Sequence, residues 1–277
     1  MILCYSKITK VIHCVILLIQ TNTMLTEERR NSILQKINEN HFVEVNDLAA
    51  EFGVTEVTIR RDLDSLDKEG LCIRKHGGAI STKSGVTLEM PYSIKRHQMV
   101  NEKNRIAQHA INLINDDDTF ILDAGSTTYA LALLLKTKAR ITVVTNDLMI
   151  AVKLAENPKI RLICTGGLVR SSVYSLEGML TETALNSMRV DKTFLGADAI
   201  DNNGWVSNVN LQEVPIKRAM IQASDQTILL ADSSKFSNKG FIKICELNDI
   251  DILITDKGIS EETYEMIKMY PLECVLV

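Results

Sequence analysis

The stretch Val54-Thr55-Glu56-Val57-Thr58-Ile59-Arg60-Arg61-Asp62-Leu63 decides how the first part of the chain folds. It follows Gly53 and opens with Thr55, a residue type that caps helix N-termini. At about 100° per residue, Ile59, Leu63 and Leu66 fall on one face of a helix. The pattern therefore predicts an amphipathic helix that packs through this face.

The opposite face of the same helix carries Val57, Arg61 and Asp64, flanked by Thr58 and Arg60. An exposed valine between threonine and arginine is unusual for a solvated helix. It suits a helix in the major groove of DNA, where an apolar group can contact a thymine methyl and arginine matches guanine edges. Arg60 and Arg61 diverge around the helix, so either could contact bases while the other contacts phosphate. The alternative interpretation is an ordinary charged helix face.

Three helices and a wing are expected around this stretch. The pattern predicts a helix over 26–38, an extended piece over 43–45, a helix capped by Asn46 and ended by Gly53, a helix from Thr55 to about Lys68, and a two-stranded wing over 71–74 and 77–80. Residues 24–84 hold nine Lys/Arg and eleven Asp/Glu, so attraction to DNA must be local. Arg74, Lys75 and His76 supply such a patch, because no acidic residue lies between 70 and 83.

These residues carry a resemblance to a known family. The run from Val43 to Asp62 and the wing sequence Arg74-Lys75-His76-Gly77-Gly78-Ala79 resemble the winged helix-turn-helix of the DeoR family of bacterial regulators of sugar metabolism. With the charge pattern, the resemblance predicts an operator-DNA contact set of Thr55, Val57, Thr58, Arg60, Arg61, Arg74, Lys75 and His76.

The first 23 of the 277 residues are interpreted separately. An apolar run over 11–19 is shorter than the roughly 20 residues that cross a bilayer, and no small-residue cleavage motif follows it. Met24 precedes Leu-Thr-Glu-Glu-Arg, a start common in the family, so residues 1–23 are interpreted as an upstream extension. A membrane tether is the competing hypothesis. The six cysteines form no CxxC pair and indicate reduced thiols, with no disulfide framework, metal site or cofactor.

The remainder of the chain changes character. Residues 81–98 are polar and are interpreted as a linker between a DNA-binding domain over 24–80 and a second domain over 99–277. Lys95 and Arg96 are interpreted there as solvated charges, or as an extension of the basic surface. Strands are expected over 119–123, 141–144, 160–164, 192–195, 227–231 and 252–256, alternating with helices such as 102–114, 127–136 and 147–155. This alternation predicts an α/β domain with a mostly parallel sheet covered on both faces.

Small, hydroxyl and acidic residues gather after these strands, at the sheet edge where open α/β sheets bind ligands. Gly125-Ser126-Thr127-Thr128 opens a helix and could hold a phosphate, although such a turn is often only a helix cap. Lys217 and Lys235 are candidate counter-charges for an anionic ligand, or exposed surface lysines.

This half resembles the DeoR-family effector domain, which is similar in fold to ribose-5-phosphate isomerase and binds a phosphorylated sugar that lifts repression. The resemblance implies phosphate contacts by Ser126, Thr127 and Thr128, and sugar contacts by Asp123, Asn146, Asp198 and Lys235. The motifs that carry it also contain Gly125, Thr145, Gly166, Gly167 and Lys217, which complete the expected effector site. Ala199 stands where the isomerases have a carboxylate base, so isomerase activity is not expected.

The expectation is a cytoplasmic, non-enzymatic transcriptional repressor of a sugar or sugar-alcohol operon, acting as a dimer or tetramer without a membrane partner. Two alternatives stay open. One is a sugar-phosphate isomerase or hydrolase with a DNA-binding appendage, and the other is a constitutive regulator with a vestigial pocket. Activation instead of repression is also compatible with the sequence.

Overall fold

A computed structural model describes residues 26–82, 90, 92–171, 173–237 and 240–277. The interpretation of residues 1–23 as an extension, and of Met24 as the start, lies outside this range. The chain divides into two units with a boundary between Ser84 and Gly85. Among the described residues, no helix combines the length and the apolar character needed to cross a membrane.

The first unit is a three-helix bundle with a small antiparallel sheet. Its elements are α1 Thr26–Asn40, β1 Phe42–Glu44, α2 Val45–Phe52, α3 Glu56–Lys68, β2 Cys72–Lys75 and β3 Gly78–Ser81. β3 lies between β1 and β2, and β2 and β3 form the expected wing. The predicted winged helix-turn-helix is confirmed.

The packing of α3 follows its apolar periodicity. Ile59 and Leu63 are fully buried in one core with Ile33 and Ile37 of α1. Gly53 ends α2 in the left-handed conformation, with φ of 62° and its N–H donating to the carbonyl of Ala49.

Gly78 is required by close packing in the sheet. A Cβ at this position would lie 2.0 Å from the carbonyl oxygen of Val43, so any side chain would push β3 away from β1.

One helix start differs from the sequence-based expectation. Asn46 does not cap α2, because the helix begins at Val45 and its N-cap residue is Glu44, whose side chain forms no capping hydrogen bond. Asn46 therefore lies in the first turn, where it is exposed. Thr55 caps α3 as expected, its Oγ1 accepting the N–H of Thr58 at 3.3 Å.

The second unit is a three-layer α/β domain. Its helices are α4 Tyr92–Lys95, α5 Val100–Ala110, α6 Ser126–Leu134, α7 Leu148–Ala155, α8 Met179–Asn186, α9 Glu213–Ala223 and α10 Glu261–Ile267. Its strands are β4 Thr119–Leu122, β5 Thr142–Thr145, β6 Arg161–Cys164, β7 Leu168–Val169, β8 Leu176–Glu177, β9 Val190–Leu195, β10 Ala199–Ile200, β11 Trp205–Asn208, β12 Ser224–Leu230, β13 Ile242–Glu246, β14 Ile252–Thr255 and β15 Glu273–Leu276. Each strand expected from the sequence is present within one to three residues.

Seven parallel strands form the central sheet in the order β15-β14-β12-β9-β4-β5-β6. Its two faces bury separate apolar cores. Phe120 and Leu122 of β4 pack against α5 and α6, whereas Ile121 faces the core that contains α9 and α10. Burial on both faces explains why the central strands are continuous apolar runs.

The strand order contains one reversal that matters for ligand binding. From β4 the chain proceeds outward to β5 and β6, and from β9 it proceeds in the other direction to β12, β14 and β15. β4 and β9 therefore flank a topological switch point, where loops diverge at the carboxyl edge and leave a crevice.

The expected linker over 81–98 is only partly correct, because its C-terminal part belongs to the second unit. Ile94 is fully buried, and the side chain of Tyr92 is almost completely buried. Apolar contacts therefore fix this segment in the fold. Residues 83–89 and 91 lie outside the described part of the chain.

Candidate DNA-binding face and ligand cleft

The outward face of α3 matches the arrangement expected of a DNA reader. Val57 is 54% exposed, and Arg60 and Arg61 are both exposed. Arg60 pairs with Glu56 one turn earlier at 2.5 Å, while Arg61 forms no ion pair with a described residue. The guanidinium of Arg61 is therefore the more available of the two for an external acceptor.

The wing residues divide into two kinds. Arg74 is half-buried, and its Nε donates to Asp64 at 2.8 Å while its Nη1 donates to the carbonyl of Gly78, so these donors are used inside the unit. Lys75 is partly exposed, and His76 is exposed at the hairpin turn. The structure thus assigns Arg74 to holding the wing against α3.

Sequence reasoning missed the role of Asp62. Its carboxylate is 2% exposed and accepts hydrogen bonds from Arg29 Nε at 2.7 Å and Arg30 Nε at 3.1 Å. This interaction joins α3 to α1 from inside the unit. Asp62 lies three residues after Ile59 and next to Leu63, so the helical periodicity of the sequence would have predicted that it lies on the buried face of α3.

A polar cleft opens at the switch point of the second unit. It is lined by Tyr92, Lys95, Ala124, Gly125, Ser126, Thr127, Thr128, Val173, Gly196, Ala197, Asp198, Asn208, Glu213, Lys217, Leu230 and Lys235. The loop after β4 and the loop after β9 form opposite walls, as the strand order requires. Seven of the twelve expected effector residues line this cleft.

The start of α6 forms an array of hydrogen-bond donors. The N–H groups of Ser126, Thr127 and Thr128 donate to no described residue, whereas the N–H of Gly125 donates to Asp147 Oδ2 at 3.2 Å. The hydroxyls of Ser126 and Thr127 also form no hydrogen bond with described residues, while Thr128 Oγ1 donates to the carbonyl of Gly125 at 2.8 Å. Unsatisfied donors at a helix N-terminus favour an anion.

Ion pairs fill the base of the cleft. Lys217 and Asp123 are 3% and 1% exposed and bond to each other, and Asp123 Oδ2 also accepts the N–H of Gly196 at 2.9 Å. Burial alone would lower the pKa of Lys217, but the Asp123 carboxylate outweighs burial and raises it above its ordinary value. Burial also raises the pKa of Asp123, against the opposing charge of Lys217.

A second carboxylate faces three ammonium groups. Asp198 Oδ1 bonds to Lys95 Nζ at 2.9 Å, and Asp198 Oδ2 accepts the N–H of Val209 at 3.2 Å. Burial would raise the pKa of Asp198, but Lys95, Lys235 and Lys217 together hold it well below its usual range. Lys235 itself forms no ion pair or hydrogen bond through its ammonium with a described residue.

The other expected effector residues support the walls or lie elsewhere. Thr145 is fully buried and donates to the carbonyl of Leu122, and Asn146 Oδ1 accepts the N–H of Ala124 at 2.9 Å, so both brace the loop after β4. Gly166 and Gly167 do not line the cleft, because they follow β6, two strands from β4.

Four polar residues of the cleft were not among the expected site residues. Tyr92 and Lys95 come from the supposed linker, and Asn208 donates to Glu213, which also pairs with Arg170. The large side chains Tyr92 and Ile94, within an otherwise polar segment, were the available signal for a packed element. No local sequence pattern indicated that Glu213 would line this cleft.

Comparison with known proteins matches both units. A model of the DeoR C terminal sensor domain matches residues 98–257, and a model of the DeoR-like helix-turn-helix domain matches residues 29–85. The putative aga operon transcriptional repressor of Escherichia coli O157:H7 is 35% identical over 91% of this chain and 94% of its own length. The glycerol-3-phosphate regulon repressor of Escherichia coli K12 is 31% identical over 84% of this chain and 92% of its own.

A solved D-ribose-5-phosphate isomerase in complex with phospho-erythronic acid is also similar. It is 19% identical, with a TM-score of 0.38, over 50% of this chain and 54% of that chain.

Proposed function

Because this chain belongs to the DeoR family of DNA-binding transcriptional regulators, we propose that it represses a sugar or sugar-alcohol operon and is released from its operator by a phosphorylated sugar. Its relatives are named as regulators, and it is not an enzyme. The proposal assigns operator contact to the first unit and effector binding to the cleft of the second.

For operator binding, the outward face of α3 offers both kinds of contact that a major-groove helix needs. Exposed Val57 suits a thymine methyl, and Arg61, which forms no ion pair with a described residue, suits a guanine edge or a phosphate oxygen. The proposal gives contacts with the DNA backbone to Lys75 and His76 on the wing, and further contacts to Thr55, Thr58 and Arg60 at the start of the helix. Arg74 acts through the shape of the wing.

The observation that carries the effector assignment is an ammonium group that forms no ion pair with a described residue and shares a cleft with amide donors. Lys235 lines the same cleft as Ser126, Thr127 and Thr128, whose N–H groups have no acceptor among described residues. A phosphate would satisfy these donors and neutralise Lys235. Asp198 and Asn208 in the same cleft offer hydrogen bonds to sugar hydroxyls.

Release requires that the ligand bind the DNA-incompetent arrangement more tightly than the competent one. A tenfold preference corresponds to about 1.4 kcal/mol per site. Because a helix-turn-helix reader normally contacts two half-sites, the proposed active form is at least a dimer.

The test is a thermal-shift screen of the purified chain with hexose, pentose and hexitol phosphates, each beside its unphosphorylated form. A ligand that binds only the native state raises the melting temperature. The expected result is stabilisation by at least one phosphorylated compound and release of fluorescent operator DNA at the same concentrations. Operator affinity that is unchanged by every compound would refute the proposed release.

Two substitutions separate the roles. Thr127→Val and Lys235→Ala should weaken sugar-phosphate binding while leaving operator affinity near that of the wild type. The matched control is Lys257→Ala, an exposed lysine that does not line the cleft. If Lys235→Ala abolished DNA binding outright, the division of function between the units would be wrong.

A further inference from the structure

The segment Tyr92–Gln98 is a built part of the cleft. It comprises α4 and the turn after it, held by hydrogen bonds from Arg96 N–H to the Tyr92 carbonyl at 2.9 Å and from His97 N–H to the Ile94 carbonyl at 3.1 Å. Ile94 is fully buried within the second unit. The segment follows the residues that connect this unit to the DNA-binding unit along the chain.

Tyr92 presents a buried hydroxyl without a partner. Its ring makes edge-to-face contacts with Tyr129 and Tyr174, each with 5.9 Å between ring centroids. Its Oη is buried and has no hydrogen-bond partner among described residues, although Tyr92 lines the cleft. Phenylalanine would pack equally well here, so packing alone gives no reason for the hydroxyl.

The electrostatic surroundings keep this hydroxyl protonated. Burial, and secondarily the Asp147 carboxylate, raise the pKa of Tyr92 well above its ordinary value. The hydroxyl is therefore available as a donor to an oxygen of a bound ligand.

Lys95 brings a positive charge to the cleft from the same segment. Its ammonium lies 2.9 Å from Asp198 Oδ1, and its side chain remains about one-fifth exposed. Lys103 of α5 fixes the backbone that carries it, donating to the carbonyls of Lys95 at 2.6 Å and Gln98 at 2.7 Å. The position of Lys95 is thus determined by the fold.

We propose that Tyr92 and Lys95 contact the ligand directly and that ligand binding stabilises the position of their segment. This inference rests on the proposed function and adds two ligand contacts to it. Tyr92 donates to a sugar or phosphate oxygen, and Lys95 shares its charge between Asp198 and the anion. Both contacts favour one position of Tyr92–Gln98.

The ligand-binding test uses the full chain and isothermal titration. The probes are inorganic phosphate and the sugar phosphate that gives the largest thermal shift with the wild type. Tyr92→Phe should weaken sugar-phosphate binding about fivefold, as expected for one lost hydrogen bond, and Lys95→Met at least about tenfold. Lys95→Met should also weaken the binding of inorganic phosphate. Lys95→Gln, which removes the charge but keeps a polar side chain, is a second variant in case Lys95→Met does not fold, and it should weaken binding in the same direction.

Matched controls separate contact from packing. Tyr129→Phe removes a hydroxyl from a ring that packs against Tyr92 but does not line the cleft, and Arg96→Met removes the exposed charge next to Lys95. Both controls should bind within twofold of the wild type.

The effect of the ligand on the segment is tested by hydrogen exchange of peptides that cover 92–98. In the wild type, the sugar phosphate should slow exchange of the Arg96 and His97 amides, and in Lys95→Met this slowing should be lost at a concentration that saturates the variant. Wild-type affinity in both Tyr92→Phe and Lys95→Met, with Thr127→Val impaired, would overturn this inference and leave the proposed function standing. No ligand-induced change in exchange over 92–98 would refute the proposed stabilisation of the segment. Absence of any binding by the wild type would overturn the proposed function as well.

Discussion

Replacing Lys217 by methionine should destabilise the second unit by about 3–5 kcal/mol, the usual cost of leaving one partner of a buried ion pair alone. Asp123 is 1% exposed, and after the substitution the hydrogen bond that remains to it from described residues is the one from the N–H of Gly196. Domains of this kind are stable by only about 5–15 kcal/mol in total. The loss should therefore shift the unfolding midpoint substantially.

The pH dependence gives this prediction a sign. Burial is the largest influence on the pKa of Asp123 and acts to raise it, with Lys217 as the main opposing charge. Without Lys217, the folded-state pKa lies far above the unfolded value of about 3.9. The unfolded state then releases its proton first, so the variant should lose stability relative to wild type as pH rises from about 4 towards 7.

The chain provides its own probe for the measurement. Trp205 is the single tryptophan and lies on β11 of the second unit, so its fluorescence during urea unfolding reports on that unit. The double variant Asp123→Asn with Lys217→Met removes both charges and should be more stable than Lys217→Met by about 2 kcal/mol. Lys268→Met removes an exposed ion pair with Glu265 and should leave the midpoint unchanged.

A loss below about 1 kcal/mol for Lys217→Met would refute the reasoning, because it would mean that Asp123 is hydrated or otherwise compensated in the folded state. A destabilisation that did not vary with pH would refute the assignment of the loss to an unpaired carboxylate.

Three further outcomes are expected. If Arg61 contacts a base, Arg61→Ala should weaken operator binding by roughly 1–3 kcal/mol in fluorescence anisotropy and leave sugar-phosphate titrations unaffected. Unchanged operator affinity would show that Arg61 does not contact the DNA bases. Asp62→Ala removes the carboxylate that Arg29 and Arg30 share inside the first unit, and should lower the free energy of unfolding by about 3 kcal/mol. Thermal melting followed by circular dichroism measures this loss, and a loss near zero would contradict the structural role of Asp62. Burial lowers the pKa of Lys103 to about 8, so between pH 8 and 10.5 the unfolded state binds more protons than the folded state. As pH rises through this range, the wild type should gain stability relative to Lys103→Met by an amount on the order of 3 kcal/mol. A constant difference in urea midpoints across that range would contradict the lowered pKa.

The buried face of α3 could be predicted because helical periodicity is local. The spacing of Ile59, Leu63 and Leu66 fixes that face, and all three are buried as expected. The same pattern placed Val57 outside. Asp62 was missed because the residues that justify a buried carboxylate, Arg29 and Arg30, are more than thirty positions earlier in the chain.

The cleft could be predicted only in part, for a related reason. The sequence marked which loops follow strands, and the loops after β4 and β9 do form the cleft. The sequence does not show which of these loops are neighbours in space, so Gly166 and Gly167 were grouped with residues two strands away. Lys95 was interpreted as a linker charge because its partner, Asp198, lies 103 residues later.

The sequence by itself determined the buried helix faces, the positions of the strands, the Gly125-Ser126-Thr127-Thr128 turn that opens α6, and the family, because these depend on short-range spacing and on motifs a few residues long. The tertiary structure decided which of those pieces meet. Strand order is set by how the chain crosses over the sheet, and the reversal between β4 and β9 brings Ser126, Asp198 and Lys235 to one edge. Ion pairs such as Lys217 with Asp123 exist only once that order is fixed, because their energies depend on burial and distance in space.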